Sequence, residues 1–185
     1  MNKQTILYFL RSSEKKIVSD MIHYAYRLDE TGKTKDELPS LGVYEEFYGL
    51  TTKDLGVYAL VDKSVGGAIW TRLLKKEDDS SAFVDEKTPV LSMAVIPSLR
   101  NQGVGTLMMN QFLQEAAAVY EQISTHVLID SKAIKFYEKF GFEKLEGSEE
   151  KSCVDGSQLA IMIKKLEKKE VVRPSDGYDA SYWMD

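Results

Sequence analysis

The sequence predicts an α+β fold, one mixed, mostly antiparallel sheet of about six to seven strands with helices packed on it. Two observations carry this: a hairpin pattern over 55–74, and strand–helix–strand crossovers from residue 89 onward. Composition agrees, with 43% hydrophobic and 29% charged residues, ordinary usage for a globular chain. At 185 residues there is room for one domain and an appendage. A chain of this size buries about 70% of its unfolded surface and needs no metal or disulfide to be stable.

Residues 5–10, TILYFL, are β-branched and aromatic and read as the first strand. Ser12 or Ser13 is placed to cap a helix in which Ile17, Met21, Ile22, Tyr24 and Ala25 follow helical spacing. Residues 31–40 are polar, with Gly32 and Pro39, and read as a loop; 41–48 form a short aromatic helix. Strands at 55–61 and 65–74 are joined by a turn at Asp62 to Ser64. A charged loop with a short strand near 82–84 follows. Residues 89–95 make a strong strand that Pro97 ends. Over 103–120, Val104, Leu107, Met108, Phe112, Ala116 and Val119 form one helical stripe, with Leu113 beside it. A strand at 123–129 leads to a helix at 131–140, which presents Ala133, Phe136, Tyr137 and Phe140 on one side and is closed by Gly141. Strands at 143–148 and 158–164 complete the set.

After Lys165 the composition shifts to a charge run, KKLEKKE, and a turn-rich tail. A domain over 1–165 and a tail over 166–185 are therefore expected. Tyr178, Tyr182, Trp183 and Met184 load the tail with apolar surface that is expected to dock on the body or on a partner subunit, as in a homodimer.

The charge balance of 24 basic against 29 acidic residues gives −5. This argues against a surface built to neutralise nucleic acid but permits a local pocket for one small anion. Cys153 is the single cysteine, which excludes an internal disulfide and argues against a thiolate zinc site. His23 and His126 lack metal-ligand spacing, so structural roles are expected for both. The apolar run at 5–10 is too short for a signal segment, and no run approaches the ~18 residues of a membrane span. The expectation is a cytoplasmic protein with neither membrane nor nucleic-acid partner.

The most informative segment is LSMAVIPSLRNQGVGT, residues 91–106. A strand ends, an arginine follows, and two glycines open a helix. Unpaired N–H groups at a helix start carry partial positive charge, glycine admits an anion close to the backbone, and Arg100 adds a planar cation. A Walker loop would need a lysine after its last glycine, and none follows Gly105; a dinucleotide fingerprint would need a third glycine where Met108 stands.

Arg100-Asn101-Gln102-Gly103-Val104-Gly105 resembles the R/Q-x-x-G-x-G/A loop of the GNAT acetyltransferase superfamily, and it lies between the strand and the long helix where that family carries it. About 30 residues on, DSKAIKFYEKFGF is similar to the family's N-x-x-A-x-x-[LF]-Y-x-x-x-G-F motif, with Ala133, Phe136, Tyr137, Gly141 and Phe142 in register. The resemblance implies an α/β/α arrangement with helices on both faces of the sheet, splayed between the glycine-loop strand and the next. It also implies acetyl-CoA as cosubstrate. Amides of Gln102, Gly103, Val104, Gly105 and Thr106, with Arg100 and Asn101 at the loop start, would hold the pyrophosphate. Met93, Ala94 and Val95 would pair with the pantetheine like a strand edge, flanked by Asp130, Ala133 and Phe136.

For chemistry, the resemblance makes Tyr137 the thiolate-protonating acid and the backbone near Val95 the oxyanion donor. Helix packing is the alternative reading of Tyr137. The acceptor channel would be bordered by Trp70 and Arg72 and by the segment with Tyr44, Glu45, Phe47 and Tyr48; the alternative is that these aromatics are core. Two positions depart from the pattern. Val90 stands where many relatives carry a basic glutamate, which leaves a water chain, Glu45 or Glu46 as candidate bases. Asp130 replaces the usual Asn, losing an amide donor and adding charge. The implied activity is acetyl transfer to a primary amine of a small molecule or an exposed amino group, for which the net charge favours a cationic acceptor. The alternative is an acyl-CoA-binding module with little or no catalysis.

Overall fold

The computed structural model describes residues 4–46, 48–50 and 53–168. Eight strands form one sheet: β1 (Thr5–Phe9), β2 (Leu55–Val61), β3 (Ser64–Arg72), β4 (Val90–Val95), β5 (Gln122–Leu128), β6 (Glu143–Lys144), β7 (Glu150–Lys151) and β8 (Gln158–Lys165). The order is β1-β2-β3-β4-β5-β8-β6, with β7 also pairing β8. Every pairing is antiparallel except β4 with β5. Helices α1 (Lys15–Ala25) and α2 (Leu28–Thr31) and a 3-10 segment, Pro39–Tyr44, precede β2; α3 (Val104–Val119) and α4 (Lys132–Lys139) flank β5 in sequence.

Strand alternation sorts side chains between two cores. Val57, Ala59, Ile69 and Leu91 pack with Met108, Phe112 and Ala116 of α3 and with Tyr137 of α4. Ala68, Trp70, Val90 and Ala94 pack on the opposite face with Val18, Met21 and Ile22 of α1 and with Leu41 and Tyr44.

Several local expectations shift. The serines do not cap α1; the Glu14 carboxylate instead accepts from the Arg11 N–H at 2.8 Å. The hairpin turn is two residues, Asp62 and Lys63, both with positive φ (50° and 69°), the twist that a two-residue turn needs. Residues 82–84 form no strand. On α3, Leu107 and Val119 face outward, at 43% and 48% exposure, while Gln111 and Glu115 are buried and hydrogen-bonded to each other at 3.0 Å. Leu166 continues the body, its N–H bonding to Glu121 O. The expected docking of Tyr178, Tyr182, Trp183 and Met184 lies outside the described residues. Among those described, no helix is long and apolar enough to cross a membrane.

The feature that positions the site is the β4–β5 junction. These parallel neighbours share a single residue pair, Val90 with Ser124, supported by the Ser124 N–H donating to Pro89 O at 3.0 Å. One residue on, the Thr125 hydroxyl takes over, donating to Leu91 O at 3.0 Å. Past that point the strands part.

Arg72 braces the acceptor-side segment onto β3. It donates to Val43 O at 3.0 Å and to Glu46 O, and its Nε lies 3.4 Å from the Asp54 carboxylate, whose side chain is 1% exposed. Removing the cation leaves Asp54 buried without its counter-charge. Arg72→Met is expected to cost about 3–5 kcal/mol in urea unfolding.

Candidate active site

The parting of β4 and β5 opens a cavity of about 1150 Å³, large for a small-molecule site. It passes through the sheet. Tyr137, Phe136 and Met93 line it from the α3/α4 side, and Tyr26, Tyr44 and Ala94 from the α1 side.

The backbone of β4 is turned toward this gap. Ile96 N–H is bonded to Gly66 O of β3, whereas Pro89 O and Leu91 O accept from β5. Alternation therefore points the peptide groups of Met93 and Val95 away from β3 and into the opening. An extended amide-bearing chain fits such an edge. At the far end, α3 begins at Gly103, with φ of +86° and no side-chain cap. Its first-turn amides thus lack intrahelical partners. A Cβ on Gly105 would sit 3.1 Å from the Met93 methyl and 3.7 Å from Phe136, so this glycine allows α3 to approach β4 and α4 closely. Asn101 adopts the left-handed region at φ 61°. Gly103, Gly105, Thr106 and Asn101 line the cavity, as do Val95, Asp130 and Ala133; Gln102 and Val104 do not. Val104 is buried in the core, and the Gln102 amide donates to Ser98 O at 2.6 Å.

Arg100 departs from its expected role. It lines the cavity, but its Nε donates to Val95 O at 3.1 Å, and its terminal nitrogens contact Glu30 at 2.9 Å and Asp29 at 3.4 Å. The guanidinium thus holds the β4 end against α2.

Tyr137 is buried on the α4 face of the fork. Burial pushes its hydroxyl up to about 12, with a hydrogen bond to Thr125 opposing. It keeps its proton at any physiological pH and is a donor.

The acceptor-side predictions divide. Tyr44 lines the cavity, stacked on Tyr26 with centroids 4.8 Å apart, its hydroxyl 2.9 Å from Ser80 Oγ. Glu45, Tyr48, Trp70 and Arg72 do not line it. Trp70 is fully buried and donates to Tyr44 O at 2.9 Å. The Tyr48 hydroxyl donates to Leu10 O at 2.9 Å, and Glu45 pairs with Lys35 at 3.0 Å. These residues are core and braces. Glu46 is likewise absent from the lining, and Phe47 lies outside the described residues. Val90 closes the vertex of the fork, buried against Ala94 and Trp70.

His126 was missed. It follows Thr125 on β5 and so points to the opposite face of the sheet from Tyr137. There it lines the cavity, edge-on to Tyr26 and Tyr44 at 5.4 and 6.0 Å, and its Nδ1 is hydrogen-bonded to Ser81 Oγ. Burial lowers its pKa to about 4. Glu150, Ser81 and Cys153 also line this side. Alternation about Thr125 was the available signal, but a lone histidine in a strand gives no hint of its partners.

The chain matches the family described as Acetyltransferase (GNAT) domain over residues 54–144, which holds both the glycine loop and Tyr137. Solved structures share the fold. A GNAT-family acetyltransferase from Streptococcus pneumoniae aligns with TM-score 0.64 at 13% identity, covering 88% of this chain and 99% of that one. The protein yncA from Salmonella typhimurium, solved with its cofactor acetyl-CoA, gives 0.64 at 14%, over 89% and 95%. The ribosomal-protein-S18-alanine N-acetyltransferase of Escherichia coli gives 0.61 at 14%, over 95% and 100%. No curated protein sequence matches. Residues 54–144 thus carry a GNAT acetyltransferase domain, and the chain is an acyltransferase that uses acetyl-CoA.

Because the folded pKa of His126 lies below its ordinary value of 6.5, the unfolded chain takes up the proton first on acidification. The stabilisation is complete above pH about 6.5 and is lost as pH falls toward 4. Melting temperature is expected to drop more steeply across that window in the wild type than in His126→Gln; parallel curves would refute this.

Proposed function

We propose that this chain transfers an acetyl group from acetyl-CoA to a primary amine, on a small molecule or at an exposed amino position. The observation that carries the reading is the fork itself, a passage through the sheet with a protonated tyrosine on one face and an aromatic, partly acidic pocket on the other.

Acetyl-CoA, when bound, supplies an activated thioester. The protein's part is to hold it, orient the amine and manage protons. Amides of Gly103 to Thr106 receive the pyrophosphate at the helix start. Met93 and Val95 offer strand-edge groups to the pantetheine, with Asp130, Ala133 and Phe136 alongside. The Val95 N–H donates to charge developing on the carbonyl oxygen. Tyr137 gives its proton to the departing sulfur.

The pocket beyond the fork suits a cation. Tyr26 and Tyr44 present ring surface, and Asp79 and Glu150 set negative charge nearby. The ribosomal-protein N-acetyltransferase among the structural neighbours adds a peptide amine to the acceptors worth trying.

The test uses acetyl-CoA with a panel of spermidine, aryl-alkylamines, lysine peptides and peptides with free N-termini, read by product mass. At least one acceptor is expected to gain an acetyl group. Tyr137→Phe is expected to lower kcat about 10²–10⁴-fold with the Kd for acetyl-CoA unchanged. Undiminished turnover removes Tyr137 as the acid.

A further inference from the structure

Val90 cannot accept a proton, and neither Glu45 nor Glu46 lines the cavity. That leaves a water chain or another residue of the cavity wall. We propose that His126 is the general base for the amine, with Ser81 and Glu150 as the positioning residues that set its tautomer. The proposal rests on the acetyltransferase reading above and names a proton path within that site.

Three separate segments meet here: the centre of β5 (His126), the loop after β3 (Ser81) and β7 (Glu150). Ser81 Oγ is hydrogen-bonded to His126 Nδ1, and the Ser81 hydroxyl lies close enough to the Glu150 carboxylate and to the Tyr44 hydroxyl to act on both. A carboxylate only accepts, so in the proposed relay the Ser81 hydroxyl turns its proton toward Glu150. The Ser81 oxygen then accepts from Nδ1–H, which leaves Nε2 bare. Tyr26 and Tyr44 pack edge-on against the ring and fix its plane. Glu150, with Asp79 beside it, is the acidic group on the far side of Ser81; the Tyr26 and Tyr44 hydroxyls and the Cys153 thiol are the other titratable groups at this wall. Burial keeps the imidazole neutral at working pH, so it is available as an acceptor.

The placement relative to Tyr137 matters most. Thr125 bonds the acid, and His126, the next residue, lies on the opposite sheet face. Consecutive residues of one strand therefore address the two sides of the fork. The acceptor enters as its ammonium and sheds one proton to water to give the neutral amine. As its lone pair forms the N–C bond, Nε2 of His126 takes the proton that the nitrogen sheds. The C–S bond pair leaves on sulfur, which takes the Tyr137 proton. The imidazolium returns its proton to water, and the tyrosinate recovers one from water, so the net change is acetyl for hydrogen.

Two readouts test this. In protein labelled with 15N-histidine, with exposed His23 replaced by Gln, long-range 1H–15N spectra at pH 7 are expected to show His126 neutral with protonated Nδ1 and bare Nε2. Ser81→Ala and Glu150→Gln are expected to give a tautomer mixture. A bare Nδ1, or a tautomer indifferent to both substitutions, overturns the relay. With the best amine of the panel, His126→Gln is expected to lose about 100-fold or more in kcat, with acetyl-CoA affinity within twofold of wild type. Turnover within threefold overturns the base while leaving the acetyltransferase reading intact. If no amine is acetylated by the wild type, it is the acceptor reading that fails, and the tautomer spectra still decide the relay.

Discussion

The site depends on one interrupted ladder. Parallel neighbours normally share evenly spaced hydrogen bonds along their length, but β4 and β5 share one residue pair, at Val90 and Ser124. The Thr125 hydroxyl then bridges to Leu91 O, and beyond it the backbone groups of β4 face the cavity. Such groups are costly to bury unpaired. The arrangement is therefore stable only because the gap is open, and it leaves an edge of the kind that a ligand with amides of its own completes. Arg100 occupies Val95 O and is itself held by Asp29 and Glu30. That ties the glycine loop to α2 across the mouth of the gap.

The same junction divides the chemistry. Because β5 alternates, Thr125 serves Tyr137 on the α4 side and His126 faces the tyrosines on the α1 side. A through-sheet passage thereby places a proton donor and a proton acceptor on opposite walls without long side chains. The acceptor wall is kept in position by buried braces: Trp70 to Tyr44 O, Tyr48 to Leu10 O, and Arg72 to Val43 O and Asp54. They fix the 3-10 segment so that, among the described residues, Tyr44 alone of the predicted acceptor set lines the cavity.

Much of the cofactor half was readable in advance. The glycine loop and the tyrosine motif are local patterns in which spacing fixes geometry: a helix must start at Gly103, and Tyr137 must lie one turn on from Ala133. The acceptor half was read less well. Trp70 and Arg72 share a sheet face, as alternation requires, but a face can be lined by cavity or by core, and both side chains fell to the core. On α3, Val104, Met108, Phe112 and Ala116 are buried as the stripe requires, but Gln111 and Glu115 join them on the buried side. A mutual hydrogen bond satisfies their polar groups, while Leu107 and Val119 turn outward.

The sequence by itself determined the main strands and helices, the class of enzyme and the place of the glycine loop at the start of α3, because each follows from contacts within a few residues or a short crossover. Tertiary structure alone decided where Arg100 points and that His126 meets Ser81 at the cavity wall. Ser81, His126 and Glu150 are separated by 45 and 24 positions, and no periodicity links them. They meet because β5 is central, the loop after β3 runs along it, and β7 pairs with its neighbour β8. A site assembled from such distant segments is set by sheet topology and packing, which local pattern does not encode.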